Sequence, residues 1–210
     1  MTDDKSQSSR RSHATSTSRS LIVRVKDNDG DAWDRLVSLY APLICHWCRK
    51  QGLPEHDMPD VVQEVFKSVA ENIDRFQKKS SSDTLRGWLR VITRNKVTDH
   101  YRRQGKQADA AGGTAALHRF AELPDIDIDQ GATDSVDDDA DEEGRQVLFQ
   151  QAMKLIKEGF RERTWQAFWR VVVDECTPKD VDEELGMSPG AVRVAKSRVL
   201  QRLRQELDEV

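Results

Sequence analysis

Apolar residues along this chain recur at spacings of three and four, and no stretch alternates apolar with polar positions for long enough to read as a strand. From Asp31, the residues Trp33, Leu36, Val37 and Tyr40 share one helix face. Pro42 suits the first turn of a second helix carrying Leu43, Ile44 and Trp47, which Gly52, Leu53 and Pro54 stop. A third helix is predicted over Asp57 to Phe76. Its inner stripe is Val62, Val65, Phe66, Val69 and Ile73, ending at Phe76; Asp60, Gln63, Glu64, Lys67 and Glu71 lie outward. The polar, serine-rich residues Gln77 to Asp83 read as a loop. A fourth helix follows over Thr84 to Gln104, with Leu85, Trp88, Leu89, Ile92 and Val97 as its apolar face.

From Gly105 to Gly144 glycine, proline and acidic residues replace the apolar stripe, so little there can be buried. Helical spacing returns with Val147, Leu148, Met153, Leu155 and Ile156, and again with Trp165, Phe168, Trp169, Val172 and Val173. Thr177-Pro178 offers an N-cap and a first-turn proline to a short helix holding Val181 and Leu185 inward. Gly186-Met187-Ser188 makes a turn, and a last helix runs from Pro189 to about Leu207. The expected architecture is all-α: a disordered tail over 1–20, a helical domain over 21–104, an acidic flexible linker over 105–144 and a second helical domain over 145–210.

The final pair has the form of a helix-turn-helix. Gly186 can take positive φ without steric cost, and Ser188 can cap the following helix. Val192, Ala195, Val199 and Leu203 point inward. A recognition helix reads bases near its N-terminal end, which makes Gly190, Ala191, Arg193, Val194 and Ser197 the candidates. Arg193 suits a bidentate pair with guanine, while Lys196, Arg198 and Arg202 suit phosphates.

Charge sharpens this reading. The net charge of −4 is unfavourable to nucleic acid until its distribution is seen. Arg86, Arg90, Arg94, Lys96, Arg102, Arg103 and Lys106 cluster along and just past the fourth helix, and Arg193, Lys196, Arg198, Arg202 and Arg204 in the last. The acid between them runs from Asp125 to Glu143. Two basic surfaces separated by an acidic segment point to two phosphate-contacting heads. No apolar run is long enough to span a bilayer, and the N-terminus has no secretory pattern. Cysteines Cys45, Cys48 and Cys176 form an odd set; Cys45-His46-Trp47-Cys48 lacks the second pair that zinc wants and reads as helix packing. No phosphate loop, nucleophile elbow or zinc-protease motif is present, so neither an enzyme nor a cofactor is expected.

The segment Asp60-Val61-Val62-Gln63-Glu64-Val65-Phe66 resembles the D-x-x-Q-E-V-F signature in region 2 of bacterial sigma factors. Arg86 to Lys96 resembles the following helix of the extracytoplasmic-function (ECF) group, and Leu185 to Val192 with Lys196-Ser197-Arg198 is similar to its region 4. Ala41 to Ile44 and Arg163 to Phe168 look most like planctomycete-type members. The resemblance implies a monomeric, cytoplasmic subunit that binds core RNA polymerase and recognises promoter DNA. Asp60, Gln63 and Glu64 would dock on the β′ clamp helices. Lys78, Lys79, Arg90, Arg94, Asn95, Lys96, Arg102 and Arg103 would contact the −10 region. Ser188, Gly190, Ala191, Arg193, Lys196, Ser197 and Arg198 would contact the −35 region, with region 4 touching the β flap. The resemblance also implies an anti-sigma factor or other regulator. Trp88 reads as core, whereas Tyr101 suits either packing or stacking on a base. Pro189 and Val194 depart from the family pattern at the reading end, so no −35 sequence carries over. The acidic linker is expected to repel DNA or to occupy basic surfaces of the free protein.

Two other readings compete. A transcription regulator could use the same helix-turn-helix without being a polymerase subunit, and an adaptor could hold polymerase without reading promoters. The second basic helix and the Asp60–Phe66 signature stand where a regulator would carry a sensing domain.

Overall fold

A computed structural model of the chain describes residues 21–77, 84–109 and 141–208. They are helical and contain no strand. The helices are α1 (Leu21–Lys26), α2 (Gly30–Lys50), α3 (Met58–Asn72) with a 3-10 turn at Ile73–Arg75, α4 (Leu85–Asp109), α5 (Glu142–Lys157), α6 (Glu162–Val172), α7 (Pro178–Leu185) and α8 (Pro189–Asp208).

Helix α2 is the organising rod. Asp29 caps it by accepting the Ala32 amide at 3.2 Å, and Arg24 at 2.9 Å anchors that carboxylate, whose pKa falls as a result. Leu36, Leu39, Tyr40, Leu43 and Ile44 are fully buried along it. Each of the four aliphatic side chains contributes roughly 1.5–3 kcal/mol of transfer free energy.

The two short helices expected on either side of Pro42 are in fact one, with Pro42 inside it. Proline removes the amide that would bond the carbonyl four residues back, a loss that normally breaks a helix. That carbonyl belongs to Ser38, and the Gln151 side-chain amide on α5 donates to it at 2.7 Å. A partner from the other half of the chain therefore replaces the missing bond.

Other boundaries differ in the same direction. Helix α1 packs Leu21 and Val25 into the core, although its six residues carried no legible periodicity. In α3 the fully inward positions are Val61, Val65 and Val69, while Val62 and Phe66 are only partly buried against the core. Helix α4 continues to Asp109 and α5 begins at Glu142, so helices take up both ends of the expected linker. The tail and residues 110–140 lie outside the described residues.

One apolar cluster joins the two halves. It runs from Leu36, Tyr40 and Trp47 on α2 to Leu148, Ala152, Met153 and Ile156 on α5, then to Trp165, Phe168, Val199 and Leu203. A smaller cluster of Ala167, Val181, Val192 and Ala195 lies beneath the last two helices.

Candidate nucleic-acid interface

The C-terminal turn is built as its residues dictate. Thr177 and Asp180 form a reciprocal capping box at the start of α7: the Asp180 amide donates to Thr177 Oγ1 at 3.3 Å, and the Thr177 amide donates to Asp180 Oδ2 at 2.9 Å. The hydrogen bonds from Thr177 hold the Asp180 carboxyl below its ordinary pKa. Gly186 ends α7 in the left-handed region, at φ 57°. The Arg163 guanidinium donates to the carbonyls of Leu185 and Gly186, fixing the turn from α6. Arg170 adds a second tie from α6, pairing with Glu184 at 2.6 Å. Ser188 accepts the Ala191 amide at 3.3 Å and opens α8. An alanine at position 186 would meet the left-handed penalty of about 1–2 kcal/mol. Gly186→Ala is expected to lower the urea midpoint accordingly; an unchanged midpoint would refute the strain.

Helix α8 buries Val192, Ala195, Val199 and Leu203, as its periodicity predicted. The opposite side of its first half leaves Ser188, Gly190, Ala191, Arg193, Ser197 and Arg198 exposed, with Lys196 half-buried. Val194, at 49% exposure, stands among them as an apolar contact surface. Ser188 is committed to capping, so its hydroxyl serves the helix first.

The second basic face lies on α4. Arg103 is exposed, and Arg94, Asn95 and Lys96 are half-buried. Arg102 sits 3.6 Å from Asp99. Arg90, at 27% side-chain exposure, lies 3.9 Å from Asp141 on the other half of the chain. Arg86, counted with the basic cluster, is instead buried at 5% exposure. Lys78 and Lys79 lie outside the described residues. Trp88 is core, 9% exposed and 5.3 Å ring to ring from Phe76. Tyr101 is partly buried against the same core, so packing occupies much of its ring; burial also raises its hydroxyl pKa.

On α3, Asp60 and Gln63 are exposed and Glu64 half-buried, giving an outward polar edge beside the buried valines. Cys48 is fully buried and its thiol is pushed up to about 12 by that burial, so it stays protonated and unreactive. Among the described residues no group of three His, Cys, Asp or Glu is placed to hold a metal ion.

Two features escaped the sequence. One is an open apolar groove between α5 and α6, lined by Phe149, Met153, Trp165, Trp169, Val172 and Val173. Its signal was present, because five large apolar residues in an 11-residue helix exceed what one buried face can hold. The other is Asp141. It caps α5 through the Gly144 amide at 3.1 Å, yet its side chain is 1% exposed and accepts the Trp47 indole N–H at 2.6 Å. Burial alone would raise its pKa. The bonds from Trp47 and Gly144, with the Arg90 and Lys50 charges, outweigh it and keep the carboxylate ionised.

The described residues thus combine the outward Asp60–Gln63–Glu64 edge of α3, the basic face of α4 and a capped helix-turn-helix at α7 and α8. Residues 36–107 match sigma-70 region 2. The chain is 28% identical to the ECF RNA polymerase sigma factor ShbA of Streptomyces griseus over 92% of its own length and 97% of that protein. It is 31% identical to the ECF RNA polymerase sigma-E factor of Haemophilus influenzae over 43% of its length and 46% of that protein. It is 30% identical to the ECF RNA polymerase sigma factor SigW of Bacillus subtilis over 49% of its length and 54% of that protein. The region 2 match and the relatives together support an RNA polymerase sigma factor of the ECF type. These relatives give no support to the planctomycete-type resemblance.

Proposed function

We propose that this protein joins core RNA polymerase, directs it to promoters through two DNA-reading heads and promotes initiation. The observation that carries the proposal is the coincidence of the region 2 match over 36–107 with an exposed, capped recognition helix at the other end of the chain. Asp60, Gln63 and Glu64 form the surface for the β′ clamp helices. The basic face of α4, with Arg90, Arg94, Asn95, Lys96, Arg102 and Arg103, faces the −10 region, together with Lys78 and Lys79. The exposed side of α8 reads the −35 region in the major groove. The groove between α5 and α6 supplies an apolar seat for the β flap, since Trp169, Val172 and Val173 are too exposed to serve the protein's own core. The protein acts by binding rather than by catalysis, as one copy per polymerase in the cytoplasm, and an anti-sigma factor or other regulator controls it.

Run-off transcription with purified core polymerase tests the reading. Promoter-specific initiation is expected only when the protein is added; a helix-turn-helix regulator or an adaptor would not confer it. Asp60→Ala combined with Gln63→Ala is expected to weaken capture of core polymerase at least tenfold, because two polar anchors of one interface are lost, each worth about 1 kcal/mol or more. Both residues are exposed, so folding should be unaffected. Undiminished capture would remove α3's outer face from the interface.

A further inference from the structure

The carboxylate of Asp141 sits in a socket it does not build. The socket belongs to the N-terminal half: the Trp47 indole N–H at 2.6 Å, Lys50 Nζ at 3.4 Å, and Arg90 Nη1 and His46 Nε2 each at 3.9 Å. His46 Nε2 is buried and makes no hydrogen bond, so the socket retains unused polar capacity. Glu143, two residues on, pairs with Lys50 at 2.8 Å. Two more contacts fasten the same halves. Gln151 completes the Ser38 carbonyl that Pro42 leaves open, and Arg35 pairs at 3.0 Å with Glu206, whose side chain is 8% exposed. A helix cap alone needs none of this, because a cap is served by solvent-facing geometry.

We infer that Asp141 is an interdomain latch: its carboxylate plugs a Trp47–Lys50–Arg90 anion socket, adding to the apolar α2–α5 contact that holds the free protein closed, and withholds Arg90 from DNA. The claim that Arg90 is withheld rests on the promoter-binding reading; the latch itself does not. The socket is suited to an anion, and a phosphate of the DNA backbone carries the same charge sign and acceptor oxygens as the carboxylate. Opening therefore exchanges one anion for another at Arg90. If the open form is a minor population, apparent DNA affinity is reduced by that fraction.

The variant that isolates the latch is Asp141→Asn, because asparagine caps a helix as well as aspartate does while removing the charge. Trp47→Phe removes the donor from the other side and keeps most of the apolar volume. Glu142→Gln, next in sequence but on a side chain 82% exposed, is the control. Small-angle X-ray scattering on the full chain, with circular dichroism to establish that the helices persist, should show a larger radius of gyration for Asp141→Asn and Trp47→Phe than for wild type or the control. Anisotropy with a forked −10 duplex should show about tenfold tighter binding by the isolated Asp141→Asn chain, the gain expected if the wild type is roughly nine-tenths closed. Unchanged dimensions in both folded variants would overturn the latch. Expanded dimensions without any gain in DNA binding would keep the latch and remove Arg90 from the DNA surface. If Asp141→Asn lost its helices, Trp47→Phe would decide the matter by the same two measurements.

Discussion

Replacing Phe168 with alanine is expected to destabilise the C-terminal helices by about 3–5 kcal/mol, the range for truncating a fully buried phenylalanine. Phe168 is 1% exposed and lies on α6, beneath both the apolar groove and the helix-turn-helix. Its ring is 5.5 Å from that of Trp165, and it belongs to the cluster that continues through Met153 to α2. A domain's whole stability is commonly 5–15 kcal/mol, so the loss should leave α6 to α8 largely unfolded at moderate urea. Urea denaturation followed by circular dichroism measures this. Trp169, one position on, is the internal comparison. It is 40% exposed, so Trp169→Ala should cost little stability and act on polymerase docking instead. If both substitutions shifted the midpoint equally, the assignment of one ring to the core and the other to the groove would be wrong.

The contrast between those neighbours shows where periodicity stopped being informative. Trp165, Phe168, Trp169, Val172 and Val173 all read as apolar helix positions, and nothing in their spacing distinguishes an inner face from a partner's face. Where one face faced one core, the pattern was enough: Val192, Ala195, Val199 and Leu203 are buried as expected. Local chemistry was legible too, because Thr177, Gly186 and Ser188 act through near neighbours in sequence. Features set by distant partners were not. Pro42 signals a helix start by its own covalent geometry, and only Gln151, more than a hundred residues away, lets the helix run through it. Asp141 looked like one acid in an acidic run, yet Trp47 and Arg90 distinguish it from Glu142. Arg86 looked like one more basic residue of the DNA face, but its helical position turns it inward. The outward placement of Asp60 and Gln63 on α3 and of Arg193 and Ser197 on α8 was legible because each lies opposite an orderly apolar stripe.

The reading end of α8 yields the second large effect, and it separates two kinds of cation on one helix. Arg193 is exposed in the N-terminal half of α8, where base edges come within reach, and its planar fork can take two acceptors of one guanine. Lys196 is half-buried along the same helix and presents a point charge suited to a phosphate. Arg193→Ala in the holoenzyme is therefore expected to weaken binding by about 1–3 kcal/mol, roughly fivefold to 150-fold, on the preferred −35 duplex. On duplexes altered at the contacted base the loss should nearly vanish, because the discriminating bonds are absent from both proteins. Lys196→Ala should weaken all duplexes alike and reduce the dependence of log affinity on log salt by about one unit. Val194 adds an apolar patch, at 49% exposure, that suits a thymine methyl next to the arginine's base. Binding titrations over a panel of single-base −35 variants at two salt concentrations distinguish these roles. A uniform loss for Arg193→Ala would make it a phosphate ligand and move base reading to Ala191, Val194 and Ser197. That outcome would leave α8 in the groove but give it a largely apolar and hydroxyl-based code, in which the absence of a bidentate donor would lower the discrimination available at any single position.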